Sequence, residues 1–306
     1  MEWTTFYASL SVLAVIIAVL LILFIREYCR RKNQEKHVWD EIEKLQQLQK
    51  DAGSIYERLF PEQLLTLLGI KKVTDMTTDV QQAFQTSVMS VNVLDFSNAI
   101  HTMSAQQLFS AINEVFAQII PAITGSGGVI DSFQKAGLSA LYTDRSEKAG
   151  LAAVYTDCSE NALTAAISMC ERIDHMSEPE KYAGFSVGLC FGSVMLGIVG
   201  HEERISAVSM SESVSLAEFL QEKAGKYGSR IMVTDNFSRY IPDFEKNYNS
   251  RFLGYFYDHI REQAIRIFDV YDGDPPERKQ SKRRTRMIFE QGVERFVHGG
   301  YDEARL

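Results

Sequence analysis

The sequence predicts an α/β (α+β) domain held behind one membrane-spanning helix. Three observations predict it: an apolar run near the N-terminus closed by basic residues, short strand-like runs, and amphipathic helical stretches interleaved with them. At 306 residues, 45% hydrophobic and 24% charged, the chain has the size and composition of one globular domain with accessory segments. Its formal charge of -8 argues against a nucleic-acid partner.

Residues 1–5 read as a short extracytoplasmic N-terminus. Phe6–Ile25 is apolar apart from Tyr7, Ser9 and Ser11, and about 20 such residues cross the hydrocarbon core of a bilayer as a helix. Arg26, Arg30, Arg31, Lys32 and Lys36 follow, whereas Glu2 is the only charged side chain before the run. The positive-inside rule then places the chain N-out in the inner (cytoplasmic) membrane, with the remainder in the cytoplasm. A cleaved signal peptide would need positive charge ahead of the run and small residues at its end, and neither is present. The lipid bilayer is thus the first expected partner.

Residues 26–58 form a basic juxtamembrane segment and a charged, Gln-rich linker. Val38, Ile42, Leu45, Ala52 and Tyr56 lie near heptad spacing, broken at Gln49, which predicts a helical, dimer-forming linker. Residues 59–85 are a pre-domain segment resuming an apolar pattern at Leu59-Phe60-Pro61. The domain occupies 86–274. Val88–Leu94 reads as a buried strand and Gln106–Ile120 as an amphipathic helix. Gly125-Ser126-Gly127-Gly128 reads as a hairpin turn; it lacks the Gly-Lys-Ser/Thr ending of a phosphate loop. Gly184–Phe191 and Ser193–Val199 read as strands paired around Gly192, Val214–Tyr227 as a helix, and Ile265–Tyr271 as a closing strand before Pro275-Pro276. Residues 275–306 are a basic and helical tail, whose run Arg278, Lys279, Lys282, Arg283, Arg284, Arg286 reads as a solvated helix face, with attraction to anionic lipid as the rival reading.

Residues 135–160 carry a tandem duplication. Lys135–Glu147 and Lys148–Glu160 are copies of one 13-residue unit, differing only at Ser139/Ala152, Leu141/Val154 and Arg145/Cys158. Two copies do not make a solenoid. One copy is expected to fill a core strand while the other bulges out or extends an edge. The four cysteines (Cys29, Cys158, Cys170, Cys190) and six histidines show no metal-ligand spacing.

Ser90-Val91-Asn92-Val93-Leu94-Asp95-Phe96-Ser97 resembles the first signature of the class III nucleotidyl (adenylate/guanylate) cyclases, Phe-x-Asp-Ile-x-x-Phe-Thr, with Asn92 in the frame of a metal-binding aspartate. Gly127–Ala136 resembles the second, Gly-Gly-x-x-x-Lys-x-x-Gly-Asp, with Ser132 at the purine-reading lysine and Ala136 at the second aspartate. Ser211–Phe219 resembles Gly-Asp-x-Val-Asn-x-Ala-x-Arg, with Ser215 at the ribose-orienting asparagine and Phe219 at the transition-state arginine. The base-reading partner falls on Val208, and the triphosphate-contacting Lys-Gly on His259-Ile260. Asp95, Asp131 and Glu212, the neighbouring acids, are not expected to point into the same site.

The resemblance covers roughly residues 59–300, and residues 59–79 and 287–304 resemble the segments that flank bacterial cyclase domains. It implies a sandwich with a mixed, largely antiparallel sheet. Two hard divalent cations need carboxylates that Asn92 and Ala136 do not supply. The expectation is therefore a catalytically inactive relative with no cofactor, no metal and no nucleotide ligand. It would serve as a regulatory or scaffolding partner in signalling by pairing with itself or a related cyclase-domain chain. The alternatives are an active cyclase with an atypical site and a small-molecule sensor using the old nucleotide cleft.

Overall fold

The computed structural model of the chain describes residues 21–305, except positions 22, 23, 25, 29, 33–35, 37, 38, 54, 57, 58, 144–150, 183, 202 and 259–261. The anchor expected at Phe6–Ile25 therefore lies outside the described residues, save Leu21 and Phe24. Two compact units are present, residues 1–61 and residues 62–306. In the first, helix α1 spans residues 39–53. Ile42 and Leu45 of the expected seam are exposed on it.

The second unit is built on eight strands. They are β1 (Gln81–Asn92), β2 (Val129–Gln134), β3 (Gly137–Tyr142), β4 (Ser186–His201), β5 (Arg204–Met210), β6 (Ile231–Thr234), β7 (Ser250–Asp258) and β8 (Gln263–Val270). The order is β2-β3-β1-β4-β6-β8-β7, with β5 paired to β4 alone. Every pairing is antiparallel except β4 with β6. The sheet is thus mixed and largely antiparallel, as expected. The helices are α2 (Glu62–Leu68), α3 (Phe96–Thr102), α4 (Ala105–Gly125), α5 (Leu151–Asp174), α6 (Glu212–Ala224), the short α7 (Asp235–Ser238) and α8 (Phe244–Asn247), and α9 (Pro276–Val297).

Alternation along the strands sends successive side chains to opposite faces. Met89 and Val91 of β1 and Val187, Leu189 and Phe191 of β4 join the main core with α4 and α5. Val88 and its cross-strand partner Cys190 are buried on the other face, where α6 packs. Burial there pushes the Cys190 thiol above its ordinary range. Gly188 and Gly192 open that second face. A Cβ at Gly188 would meet the Ala217 carbonyl oxygen at 2.1 Å, and one at Gly192 would meet Ser213 Oγ at 2.0 Å. Small residues there let α6 lie directly on the strand.

Gly192 therefore does not turn a hairpin. The two paired strands expected around it are one continuous strand, β4, and its hairpin partner is β5, paired over Met195–His201. The Gly125–Gly128 stretch also differs from expectation, since it joins helix to strand rather than strand to strand. Gly127 (φ 84°) reverses the chain there, and its N–H donates to Thr124 while that of Gly128 donates to Ile123. Among the described residues α4 is the one helix long and apolar enough to cross a membrane. It is amphipathic, with Ala111, Ile112, Val115, Ile119 and Ile123 buried against the domain. Its start is fixed by a capping box between Ser104 and Gln107.

The duplication resolves unequally. The first copy supplies β3, whose six residues are all buried between β1 and β2. The second copy neither bulges nor extends an edge: from Leu151 it forms the first turns of α5. Cys158, Ala162, Leu163, Ala165, Ala166, Met169, Cys170 and Ile173 then bury one helical stripe. Ser159 of this copy meets Ser87 of β1 at 2.7 Å, Oγ to Oγ.

The basic tail is not a purely solvated face. Lys282 of α9 is buried, with Nζ 2.8 Å from Asp269 Oδ2 and 2.7 Å from Asp274 Oδ2. Asp269 also takes Arg251 Nε at 2.8 Å and the Ser229 hydroxyl at 2.6 Å. Arg283 donates to Asn249 at 2.9 Å, and the Arg251 guanidinium stacks 4.4 Å from the Phe289 ring centre. These contacts fasten α9 to β7 and β8.

Candidate functional site

Four elements, β1, β2, β5 and α6, and the β2–β3 turn carry the described positions singled out from sequence. Asn92 is the last residue of β1, where the chain leaves the sheet to enter α3. Its side-chain amide donates to the carbonyls of Leu94 at 2.8 Å and Gly184 at 3.1 Å. Asn92 thus ties the β1–α3 turn to the entry of β4. Asp95, three residues on, is exposed and caps α3 by accepting the Asn98 N–H at 3.2 Å.

Ala136 sits in the tight β2–β3 turn, where its carbonyl accepts the Val93 N–H at 2.8 Å. The following residue, Gly137, pairs with Asn92 across β1 and β3. A Cβ at Gly137 would meet the Val91 carbonyl oxygen at 2.0 Å, so glycine is required for the close approach. The fold therefore brings Asn92 and Ala136 side by side, while Lys135 at the turn is exposed.

β2 carries a register shift between Ile130 and Ser132, a bulge that leaves Asp131 as the extra residue. Asp131 is mostly buried and accepts a hydrogen bond from the Ser209 hydroxyl of β5. Burial raises its carboxyl above the ordinary aspartate range; Ser209 and Ser132 oppose that rise, and Glu218 adds to it. Gln134 donates to Glu218 Oε1 of α6 at 2.7 Å. These two contacts close β2 against β5 and α6. Sequence reasoning placed Asp131 away from the site but missed its partner, because Ser209 lies on a strand the sequence did not reveal.

Val208 is half-buried on β5, paired with Gly197. Ser215 is exposed on α6, which Ser211 caps by accepting the Val214 N–H at 3.0 Å. Phe219, one turn on, meets Phe256 of β7 at 4.6 Å between ring centres, and Lys223 Nζ lies 5.2 Å from the Phe219 ring. Phe219 is thus an aromatic contact between α6 and β7. His259-Ile260 lies outside the described residues.

This donor set does not fit two hard divalent cations. At Asn92 both recorded hydrogen bonds tie the amide N–H groups to main-chain carbonyls, and Ala136 offers only a buried methyl. Among the described residues no group of three or more His, Cys, Asp or Glu side chains is arranged to hold a metal. Cys170, fully buried, has its thiol pushed up to about 12 by burial, which leaves it protonated and inert.

No family model matches the chain. Over 261 residues, 83% of its length, the chain is 24% identical to the terminal-differentiation-specific adenylate cyclase of Dictyostelium discoideum. Over 193 residues, 60% of its length, it is 21% identical to an adenylate cyclase of Anabaena cylindrica. It spans only 12% and 36% of those two proteins. Among solved structures it superposes on a bacterial light-regulated adenylyl cyclase with a TM-score of 0.61 at 15% identity, over 80% of this chain and 70% of that one. The adenylyl cyclase CyaB of P. aeruginosa gives a TM-score of 0.52 at 16% identity, over 62% of this chain and 95% of that one.

The fold is therefore that of the class III adenylyl/guanylyl cyclases. The expectation that the chain is no enzyme is overturned: the curated relatives are both named adenylate cyclases. At these identities the likeness carries the fold.

Proposed function

We propose that this chain is a membrane-anchored cyclase-homology protein. It acts in cyclic-nucleotide signalling as one half of a cyclase-domain pair, formed with a second copy or a related chain. Phe6–Ile25 is its anchor, N-out, and the domain faces the cytoplasm. The observation that carries the pairing is the β4–β5 hairpin, which leaves Met195, Val199 and Met210 exposed. Ile42 and Leu45 add exposed apolar side chains on the linker helix. A shared membrane raises the effective concentration of two such chains, so little intrinsic affinity suffices.

Single cysteines at Ile42 and Leu45, oxidised in native membranes, test the pairing through the linker. Sedimentation of residues 62–306 with Met195→Asp beside the parent tests it through the hairpin. Crosslinked dimers and a Met195-dependent dimer are expected; no crosslink together with a strictly monomeric domain sinks the proposal. The names of the relatives favour a second reading, cyclisation of ATP or GTP by the pair. The same membranes test it: product formed with Mg²⁺ or Mn²⁺ supports turnover, and no product from either nucleotide removes it.

A further inference from the structure

Between α9, the terminal 3-10 turn Glu303–Arg305 and the β6–β8–β7 end of the sheet lies a cavity of about 710 Å³. That is within the range of roughly 300–1,000 Å³ found for small-molecule sites. Its floor is apolar and drawn from three strands: Met232 of β6, Leu253 of β7 and Ile267 of β8 are all buried. Two glycines face the space from opposite walls. Gly254 lies at a register shift in β7 with φ 129°; a Cβ there would meet only Val293 Cγ1, at 3.8 Å. Gly292 lies in the middle of α9, and a Cβ there would meet only the Ala304 carbonyl oxygen, at 3.5 Å. Glycine in a helix interior costs about 1 kcal/mol against alanine. No close packing forces it at Gly292, so its effect is to keep the space open.

Among the described residues that line the cavity, one is a cation. Arg295 lines the cavity, is exposed, and its recorded hydrogen bond is to the main-chain oxygen of Glu303 at 3.4 Å, not to a carboxylate. Glu303 also lines the cavity, and its carboxylate lies against Gly300. An apolar trough with a guanidinium at its rim suits an anionic amphiphile. We infer that this cavity binds an amphiphile with a single carboxylate head and an unbranched alkyl chain. The chain lies between α9 and the sheet, and the head takes a charge-assisted hydrogen bond from Arg295. Ile288 and Phe296, exposed beside the mouth, are covered when the site fills.

Photolabelling of the full chain in its membrane tests this, with a diazirine-bearing fatty acid as probe and the alcohol of equal length as control. Labelled peptides should contain Met232, Leu253 or Val293. The acid should label them about ten-fold or more over the alcohol, the worth of one hydrogen bond to a charged group. Arg295→Gln should lower the acid to the level of the alcohol. Gly292→Phe should fill the trough and abolish labelling; Ile288→Trp, at a solvent-facing position, should narrow the mouth and reduce it without burdening the fold. Labels confined to residues 6–25, or unchanged by Gly292→Phe and Ile288→Trp together, overturn the site. Equal labelling by acid and alcohol in the parent overturns the carboxylate head.

Discussion

Lys282→Met should be among the most damaging single changes in the tail, although the residue sits in a run of six basic side chains. Lys282 is 7% exposed and both of its carboxylate partners are 0% exposed. Removing it leaves Asp269 with Arg251 and Ser229, but it takes from Asp274 its one recorded ion-pair partner, 2.7 Å away. Burial already raises the Asp274 carboxyl, and Lys282 is the main influence opposing that rise. Breaking a buried pair on one side costs about 3–5 kcal/mol. In a domain of this size 1 kcal/mol shifts the melting temperature by about 2–4 °C, so the expected loss is roughly 6–20 °C.

The assay is thermal and urea unfolding of residues 62–306, with Arg284→Met as the exposed control, expected within about 0.5 kcal/mol of the parent. The penalty should carry a pH signature. With Lys282 gone, the Asp274 carboxyl moves further above its unfolded value. A raised acid costs stability as pH climbs through its folded pKa and costs nothing below its unfolded one, so the loss should shrink in acid. Lys282→Met with Asp274→Leu should recover most of the stability, because an apolar pair avoids the stranded charge. If Lys282→Met unfolds alongside Arg284→Met at neutral pH, the ion cluster does not hold the helix and the reasoning is refuted.

Two further outcomes follow from the site. Asn92→Asp replaces an amide that donates to Leu94 and Gly184 with a carboxylate facing two carbonyls; the urea midpoint should fall by the equivalent of about 1–3 kcal/mol, and an unchanged midpoint would show that the turn does not depend on those bonds. Asp131 has a folded pKa above its ordinary 3.8, so ionisation drains stability as pH rises through that folded pKa. Asp131→Asn can still accept the Ser209 hydrogen bond, and should be more stable than the parent at pH 7 with the gain vanishing as pH approaches the unfolded value; a gain independent of pH rejects burial as the cause.

Local patterning located the elements whose core contacts repeat with a clear period. Val88–Leu94, Gln106–Ile120, Val214–Tyr227 and Ile265–Tyr271 each fall on an observed strand or helix, with ends moved by several residues. Strands β5, β6 and β7 escaped notice. β6 has only four residues, too few for alternation to register. In β5 the burial pattern mixes half-buried with exposed positions, since it pairs with β4 alone. The Gly192 misreading has a single cause: a glycine inside a strand signals a turn or a close approach, and here Ser213 of α6 supplies the approach.

The candidate site was legible as positions, because Asn92, Ser132, Ala136, Val208, Ser215 and Phe219 stand in fixed spacing to recognisable frames. What each side chain does was not legible. Asn92 ties a turn, Phe219 packs on Phe256, and Asp131 is buried against Ser209, all through partners distant in the chain.

By itself the sequence determined what depends on neighbours along the chain: the apolar run and its basic flank, the amphipathic faces, and the frames around Asn92 and Phe219. Only the tertiary structure decided the fate of the duplicated unit and of Lys282. The two copies differ at three positions, too little for propensity to separate them. The first becomes a strand because β1 and β2 are there to satisfy its backbone and bury its side chains. The second, with β3 already in place between β1 and β2, continues instead into the helical stripe that begins at Cys158. A lysine in a basic run is indistinguishable from its neighbours until two buried carboxylates arrive from β8 and the turn beyond it. Strand pairing and charge burial are both set by residues far away in the chain, and only folding brings those residues together.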